Sequence, residues 1–387
     1  MYPYYRPPVD QILHLFTFNG INPLKKSLAA TLLVTLELTS ITTTMLLIFT
    51  QFFYSDFSMK LFVDSVESLF TTSQLLVKLT TFVVKKREIK ILLVQISSFW
   101  SLSQFDQKFR QECLGHLKYI KSTVKMFIVL CASVMVFFMF SPVFADRLAI
   151  ICYVPEFMPR WVFVVYNSWV FGYIGMGVVA FDSFVCTMIF MLHLQYKLLN
   201  EKICLMRLEE VRNVDDERVC LQDLRSIIQF LKQLNSILGI TSFIQFILYI
   251  ISMCFEMYLV SKGCEYFFFL IDLNITVLVF RSVNLESLKS LFYITTLSFE
   301  MMLCFCIPST YLTSEASKTL QVTYDTKWYE CRSTSIQKNI VIMMLKGQQK
   351  AALWAGNMFV FNLETATEAF KKTLSFYTCL KTIGETT

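Results

Sequence analysis

The sequence predicts an all-α membrane protein with seven transmembrane helices. Of its 387 residues, 55% are hydrophobic and only 17% are charged, whereas a soluble domain carries about 25% charged residues. The apolar residues also come in blocks, such as TLLVTLELTSITTTMLLIFTQFFY at 31–54, and about 20 apolar residues cross a bilayer as one helix. The predicted spans are 27–54, 59–84, 126–145, 161–194, 237–260, 288–312 and 353–380.

The segment before the first span, residues 1–26, lacks the features of a cleavable signal peptide. It begins MYPYYRPPVDQILHLF, without the basic stretch and the small-residue cleavage site that secretory signals have. We therefore expect 1–26 to be a retained N-terminal segment and the first span to act as the insertion signal.

The distribution of basic residues predicts the orientation of the spans. Most of the 35 lysine and arginine residues lie in 1–26 and in three long connections, 85–125, 195–236 and 313–352. Because basic loops stay in the cytoplasm, we predict a cytoplasmic N-terminus and, after seven spans, an extracellular C-terminus. G-protein-coupled receptors have the opposite orientation, and span seven lacks their N-P-x-x-Y motif, so we exclude that class.

The connection 195–236 has the pattern of an amphipathic helix. Leu221, Leu224, Ile228 and Leu231 recur at helical spacing between charged residues. We therefore expect spans four and five to continue as helices into the cytosol, where they pack either on one another or on a neighbouring subunit.

A short apolar segment, YFFFLIDLNITVLVF at 266–280, does not fit the scheme of seven spans. It is too short for an ordinary span, and Asp272 interrupts it. The sequence leaves three alternatives open: an external segment over the bundle, an extension of span five, or an eighth span. Asn274 begins an N-x-T glycosylation sequon, which requires an extracellular position.

Span two also has a polar face, which we interpret as a packing surface or the wall of a cavity. Its members are Asp64, Glu67, Ser68, Thr71 and Lys78. Spacing for a metal site is absent, because the 12 cysteines form no C-x-x-C pair and His14, His116 and His193 are far apart. We expect no cofactor, no metal, no enzymatic activity and no nucleic-acid partner, and we attribute the net charge of +6 to membrane topology.

Span seven combines the length of a membrane helix with a charged face. At about 100° per residue, its polar residues fall on one stripe, namely Glu364, Glu368, Lys371, Ser375, Thr378 and Thr382. A charged side chain at the centre of a bilayer costs about 2.5–3.5 kcal/mol, and an i,i+4 Glu–Lys pair returns only about 0.3–0.5 kcal/mol. The stripe must therefore face water, as the lining of a pathway, or protein, as a polar seam inside one subunit.

Three motifs near the C-terminus follow one another in a recognisable order. Cys304-Phe305 ends span six, TYDTKWYE follows at 323–330, and ALWAGNMFVFNLETATEAFKKTLSFYTCLKTI closes the series at 352–383. This order resembles the C-terminal signature of insect odorant receptors, whose Tyr-x₃-Trp-Tyr, Gly, L-E-T-like and S-Y-F-like elements it matches. One position departs, since Ile307 follows Cys306 where the family usually has a glycine near the span-six cysteine.

The resemblance implies an odour-gated, non-selective cation channel that acts without G proteins in the plasma membrane, in the dendrite of an olfactory sensory neuron. It implies a heterotetramer with a shared coreceptor and a small volatile ligand, with membrane lipid around it. Helices in 195–236 and 313–352 would form a cytosolic anchor, and 353–387 would supply the pore-lining helix and a short extracellular tail.

The resemblance also implies specific residues for the pore and the odour site. The gate would include Ser375, Thr378, Cys379, Thr382 and Ile383, and the vestibule Glu364, Glu368 and Lys371. The odour site would lie among spans two, three, four and six of the region 27–312, at Phe70, Gln74, Phe137, Phe138, Tyr173, Met176, Tyr293 and Thr296. These aromatic and methionine side chains suit a small apolar ligand, although ordinary core packing also explains each of them.

Two other functions are compatible with the same sequence. One is a gustatory-type receptor channel for soluble tastants. The other is a membrane transporter, which would show internal repeats that we do not find between the two halves.

Overall fold

The structure is a computed structural model that describes residues 6–25, 27–54, 59–96, 102–145, 148–208, 214–272, 285–330 and 333–386. These residues are almost entirely helical. The helices are α1 Arg6–Phe18, α2 Leu28–Tyr54, α3 Met59–Val84, α4 Lys86–Gln95, α5 Gln107–Ala145, α6 Arg160–Leu208, α7 Val214–Asp272, α8 Leu285–Phe299, α9 Ile307–Tyr324, α10 Thr334–Gly347 and α11 Leu363–Thr386. A π-helical turn, Glu300–Cys306, joins α8 to α9, and strands β1 Trp354–Ala355 and β2 Phe359–Val360 precede α11.

Within the described ranges, five helical segments are long and apolar enough to cross a membrane. They are Leu28–Tyr54, Gln107–Phe140, Arg160–Met206, Arg218–Ser261 and Lys289–Glu330. The other two predicted spans correspond to α3 and α11, whose polar faces lower their hydropathy. The all-α membrane fold is thus confirmed. Its two least apolar predicted spans, α3 and α11, are the ones that carry charged residues along one face.

Helix α6 forms the centre of the bundle, and glycines bring it close to its neighbours. A Cβ on Gly175 would lie 1.8 Å from the sulfur of Met135 in α5, and one on Gly177 would lie 2.5 Å from a Leu75 methyl in α3. Small residues of this kind let membrane helices approach closely where no hydrophobic effect drives them together.

The N-terminal segment folds back onto this centre. Phe16 of α1 is fully buried, with its ring centroid 4.8 Å from that of Phe82 and 5.6 Å from that of Phe184. The sequence predicted a retained N-terminal segment here, and the structure adds a helix that packs on α3 and α6.

Helical segments at or beyond the ends of predicted spans four, five and six pack on one another and on α10. We call residues 195–208, 214–236, 307–324 and 334–347 the extension bundle. In it Leu221, Leu224 and Leu231 are buried, and the Asn200 amide donates to the Glu315 carboxylate at 3.0 Å and accepts from the Thr319 hydroxyl at 2.8 Å. The predicted helical continuation of spans four and five is confirmed, and they pack on one another within the chain.

The predicted start of span seven, at 353, is wrong, because a β-hairpin precedes the helix. Residues 353–362 form the antiparallel pair β1–β2 and its turn, in which Gly356 and Asn357 have φ values of 57° and 60°. The helix begins only at Leu363, where the Asn362 side chain accepts a hydrogen bond from the Thr365 amide at 2.6 Å. An Asn at this position is a favoured N-cap, so local chemistry fixes the helix start.

The short apolar segment is described only in part. Helix α7 runs to Asp272, so residues 266–272 extend span five, which is one of the three alternatives above. Residues 273–284, with Asn274 and its sequon, lie outside the described ranges.

Candidate ligand site and outward-facing helix

Helix α11 packs against the bundle through one narrow face. Ala366, Ala369 and Thr373 are buried on this face, which contacts α7 and the π-helical turn. Further along, the Tyr377 hydroxyl donates to the Ser261 hydroxyl of α7 at 2.9 Å. The small side chains allow the helix to lie close to its neighbours.

The opposite face carries the polar stripe, which comprises Glu364, Glu368, Lys371, Ser375, Thr378, Cys379 and Thr382. All seven side chains are exposed. At about 100° per residue, the stripe lies directly across the helix from the buried face. It therefore points away from its own bundle and does not form a seam inside the described part of the chain.

The threonine hydroxyl groups of the stripe are satisfied within the helix. Thr378 donates to the Ser375 carbonyl at 2.7 Å, and Thr382 donates to the Thr378 carbonyl at 2.9 Å. These bonds hold the hydroxyl oxygens along the helix surface. Ile383 belongs to the same helix, but its side chain lies outside the described set.

The predicted odour-site residues lie where α3, α5, α6 and α8 converge. The Tyr293 and Thr71 hydroxyls are 2.6 Å apart, which joins α8 to α3. The Phe137 ring lies 5.3 Å from that of Phe292, and the Phe138 ring lies 5.5 Å from that of Phe171. The structure thus brings Phe137 and Phe138 of α5 into one aromatic cluster with Phe171 of α6 and Phe292 of α8, and Tyr293 follows Phe292 in α8.

The other members of the predicted set have different surroundings. Gln74 is buried and donates to the Glu300 carboxylate at 3.4 Å, and the Tyr173 ring lies 4.7 Å from that of Trp169. The Met176 carbonyl accepts from the Asn19 amide at 3.5 Å, so that turn of α6 faces the end of α1. Phe70 and Thr296 are half-buried, and the Thr296 hydroxyl donates to the Phe292 carbonyl at 2.7 Å, one turn earlier in α8.

A buried ionic network lies next to this cluster, and sequence reasoning missed it. Lys78 of α3 binds both oxygens of Asp182 at 2.9 and 2.8 Å and an oxygen of Glu300 at 2.8 Å. Each of these side chains is at most 4% exposed. The signal was present in the sequence, because Asp182 and Glu300 are isolated carboxylates in apolar blocks, and charges in spans are costly unless paired.

The network connects four helices and holds more carboxylates than ammonium groups. Gln245 of α7 supplements the single ammonium group by donating to Glu300 at 2.9 Å and to Asp182 at 3.4 Å. Glu300 begins the π-helical turn, and Phe305 in the same turn packs on Phe361 with ring centroids 5.1 Å apart. The π-helical turn therefore connects the network, through Glu300, to the segment before α11, through Phe305.

A second ion pair borders the aromatic cluster. Lys289 of α8 binds Glu67 at 2.7 Å and lies 3.8 Å from Asp64. Its ammonium group is also 5.8 Å from the centre of the Phe138 ring, within the range of a cation–π contact. Asp64 and Glu67 on the polar face of α3 thus pack against α8, which is one of the two alternatives that the sequence left open, and this face adjoins the predicted odour site.

The comparison with protein families agrees with this arrangement. The family described as 7tm Odorant receptor matches residues 58–374. The chain belongs to this odorant receptor family. The receptor is accordingly a multi-span membrane protein of an insect receptor family.

Solved structures resemble the receptor over almost its whole length. The insect olfactory receptor OR5 from Machilis hrabei in complex with eugenol has a TM-score of 0.81 at 13% identity, and the match covers 98% of each chain. A second structure of the same protein has a TM-score of 0.82 at 12% identity and covers 97% of each chain. At this identity the likeness concerns the fold, and no curated protein matches the receptor significantly by sequence.

Proposed function

We propose that the receptor is the odour-binding subunit of a non-selective cation channel that it forms with a shared coreceptor. The observation that carries the proposal is the direction of the polar stripe on α11. The stripe is exposed and lies opposite the only buried face that the described part of α11 has.

The energetics of the stripe favour a water-filled pathway. Glu364, Glu368 and Lys371 would together cost about 7–10 kcal/mol if they faced lipid near the bilayer centre. A pore shared between subunits removes that cost, because each subunit then presents its stripe to water. In this arrangement the charges line a vestibule, and Ser375, Thr378, Cys379, Thr382 and Ile383 form the gate.

The orientation follows from the basic residues of the connections. The extension bundle and 1–26 would lie in the cytoplasm, and the end of α11 outside the cell. The extension bundle then serves as the anchor between subunits, and the assembly sits in the plasma membrane of the olfactory sensory dendrite.

The odour site would be the aromatic cluster of α3, α5, α6 and α8 with its neighbours. The OR5 structure holds eugenol, which supports a small organic ligand for the related fold. Phe137, Phe138 and Tyr293 supply apolar surface and one hydroxyl, a combination that suits a volatile molecule with few polar groups. Glu300 of the ionic network begins the π-helical turn that contacts α11, and through this turn ligand binding would reach the pore.

Cys379 permits a direct test of the pore. The receptor would be expressed in oocytes with and without an insect coreceptor, and a panel of volatiles would identify an activating odour. A cationic methanethiosulfonate applied outside should then reduce the odour-evoked current, because Cys379 is an exposed thiol of the stripe.

Two controls make the outcome decisive. Cys379→Ser should keep the odour response and lose the sensitivity to the reagent, which excludes thiols of the coreceptor. Cys254 is buried on the neighbouring α7, so Cys254→Ser should leave the sensitivity unchanged. Full current after confirmed labelling of Cys379 would show that the stripe does not line the conducting path.

A further inference from the structure

A groove of about 560 Å³ lies between α7, the β1–β2 hairpin and the segment before it. None of the predicted odour-site residues borders it. Its lining residues are Tyr196, Ile228, Leu231, Lys232, Asn235, Ser236, Gly239, Ile240, Gln349, Lys350, Ala351, Ala352, Trp354, Gly356 and Asn357. This set contains two lysines and no acidic residue. We call it the basal groove.

The basal groove lies at the boundary between membrane and water. Its walls cross the predicted ends of spans four and five, at 194 on α6 and 237 on α7. Ile240, on the membrane side of this boundary, is 75% exposed. The groove therefore has an apolar end toward the bilayer and a polar end toward the extension bundle.

Hydrogen bonds hold the walls of the groove in place. The Asn235 side chain donates to the Ala352 carbonyl and accepts from the Trp354 amide, both at 3.0 Å. The Gly356 amide donates to the Gly239 carbonyl at 2.8 Å. The hairpin is thus fixed to α7, and the groove is preformed.

The charge of the groove is uncompensated. Lys232 and Lys350 are both exposed, and neither ammonium group has a hydrogen-bond or ion-pair partner among the residues that the structure describes. Lys78 and Lys289, which reach into the bundle, are by contrast paired with carboxylates. Two free cations at the membrane boundary attract a ligand that carries negative charge.

We propose that the basal groove binds the headgroup of an anionic phospholipid from the leaflet on the side of the extension bundle. Lys232 and Lys350 contact the phosphate, and Ile240 and Trp354 lie beside the glycerol and the first methylene groups of the acyl chains. In the orientation proposed above this is the cytoplasmic leaflet, which holds the anionic lipids of a cell membrane. A neighbouring subunit would need an acidic surface here, and a phospholipid supplies the charge and the apolar chains in one molecule.

The position of the groove links lipid binding to the start of α11. The hairpin that forms one wall ends at Val360, and α11 begins three residues later at Leu363. A bound lipid thus holds the base of α11 against α7. This role does not depend on which odour the receptor binds.

The test uses the full-length receptor with its assembling partner in nanodiscs that contain a photoactivatable phosphatidylserine or a photoactivatable phosphatidylcholine. After illumination, mass spectrometry locates the labelled peptides. We expect the phosphatidylserine probe to label the peptides around 228–240 and 349–357 more than the phosphatidylcholine probe does. Labelling should fall about fivefold in Lys232→Gln or Lys350→Gln and about 25-fold in the double variant.

A matched control and an independent variant guard against misfolding. Lys338 is an exposed lysine of α10 outside the groove, so Lys338→Gln should leave the labelling unchanged. Ser236→Glu places a negative charge in the groove without removing a lysine and should also abolish the preference for phosphatidylserine.

Three results would overturn the proposal. The first is equal labelling by the two probes, and the second is unchanged labelling in the double variant. The third is an efficient disulfide between Ile240→Cys and a cysteine introduced on the partner subunit, since it would assign the groove to the subunit interface.

Discussion

Two groups of charged residues lie within predicted membrane spans, and their surroundings are opposite. Lys78, Asp182 and Glu300 are buried at the centre of the bundle and bind one another at 2.8–2.9 Å. Glu364 and Glu368 lie on the exposed face of α11. The first group has its partners within the chain, whereas the second requires water or another chain. A charged residue within a predicted span can therefore have either of two roles. If its partner lies in the same chain it stabilises the fold, and if it must face water or another chain it is a candidate for function.

The largest effect on stability is expected at Lys78. Lys78→Met leaves two buried carboxylates without their cation, and breaking a buried ion pair on one side costs about 3–5 kcal/mol. We expect a large fall in the melting temperature of the purified variant. We also expect that little of the variant receptor reaches the cell surface. The measurement is thermal unfolding in detergent, followed by fluorescence-detected size exclusion.

A compensated variant distinguishes the network from a simple packing defect. Lys78→Met combined with Asp182→Asn and Glu300→Gln removes all three charges and keeps side chains that hydrogen-bond. It should recover much of the lost stability. If Lys78→Met alone unfolds at the temperature of the unchanged receptor, the network does not hold the bundle together.

An intermediate effect on stability is expected at the β1–β2 hairpin, which precedes α11. Gly356 has a φ of 57°, and a Cβ there would lie 3.0 Å from the Phe243 side chain. A non-glycine residue in this left-handed region costs about 1–3 kcal/mol. Gly356→Ala should therefore lower the free energy of unfolding by this amount in the same thermal assay.

Gly115 of α5 provides the matched control. It lies within a helix, and a Cβ there would meet no atom within 4 Å. Alanine is preferred over glycine in a helix by about 0.5–1 kcal/mol, so Gly115→Ala should raise the melting temperature slightly. A destabilisation by Gly115→Ala as large as that by Gly356→Ala would contradict the assignment of the effect to backbone strain.

The sequence predicted much of this fold, and the misses have physical reasons. Apolar blocks located the long apolar helices, and helical spacing at Leu221 and Leu224 predicted the continuation of α7. The hairpin before α11 was missed, because Trp354 to Phe361 is as apolar as a membrane helix and only the positive φ at Gly356 and Asn357 breaks it.

The candidate site was less accessible to sequence reasoning. The helical projection of span seven identified the polar stripe, since one helix determines which residues share a face. The network of Lys78, Asp182, Gln245 and Glu300 required contacts between four helices, and a single sequence does not specify which helices are neighbours. The same limit explains why the predicted odour-site residues fell only partly into one cluster.

The smallest effect on stability, and the sharpest test of the comparison, is expected on the stripe. Glu368 is exposed, and exposed substitutions usually change stability by less than about 0.5 kcal/mol. Glu368→Gln and Glu368→Lys should therefore leave the melting temperature unchanged.

If Glu368 borders the pore, a charge reversal there repels cations. The odour-evoked current should then fall more in Glu368→Lys than in Glu368→Gln. The difference should be largest at low ionic strength, where charges are least screened. A charge reversal at Lys338, exposed on α10, supplies the control, because Lys338→Glu alters the charge by the same amount, with opposite sign, away from the stripe. A Glu368→Lys receptor that unfolds as readily as Lys78→Met would mean that the stripe, like the network, has its partners inside the subunit.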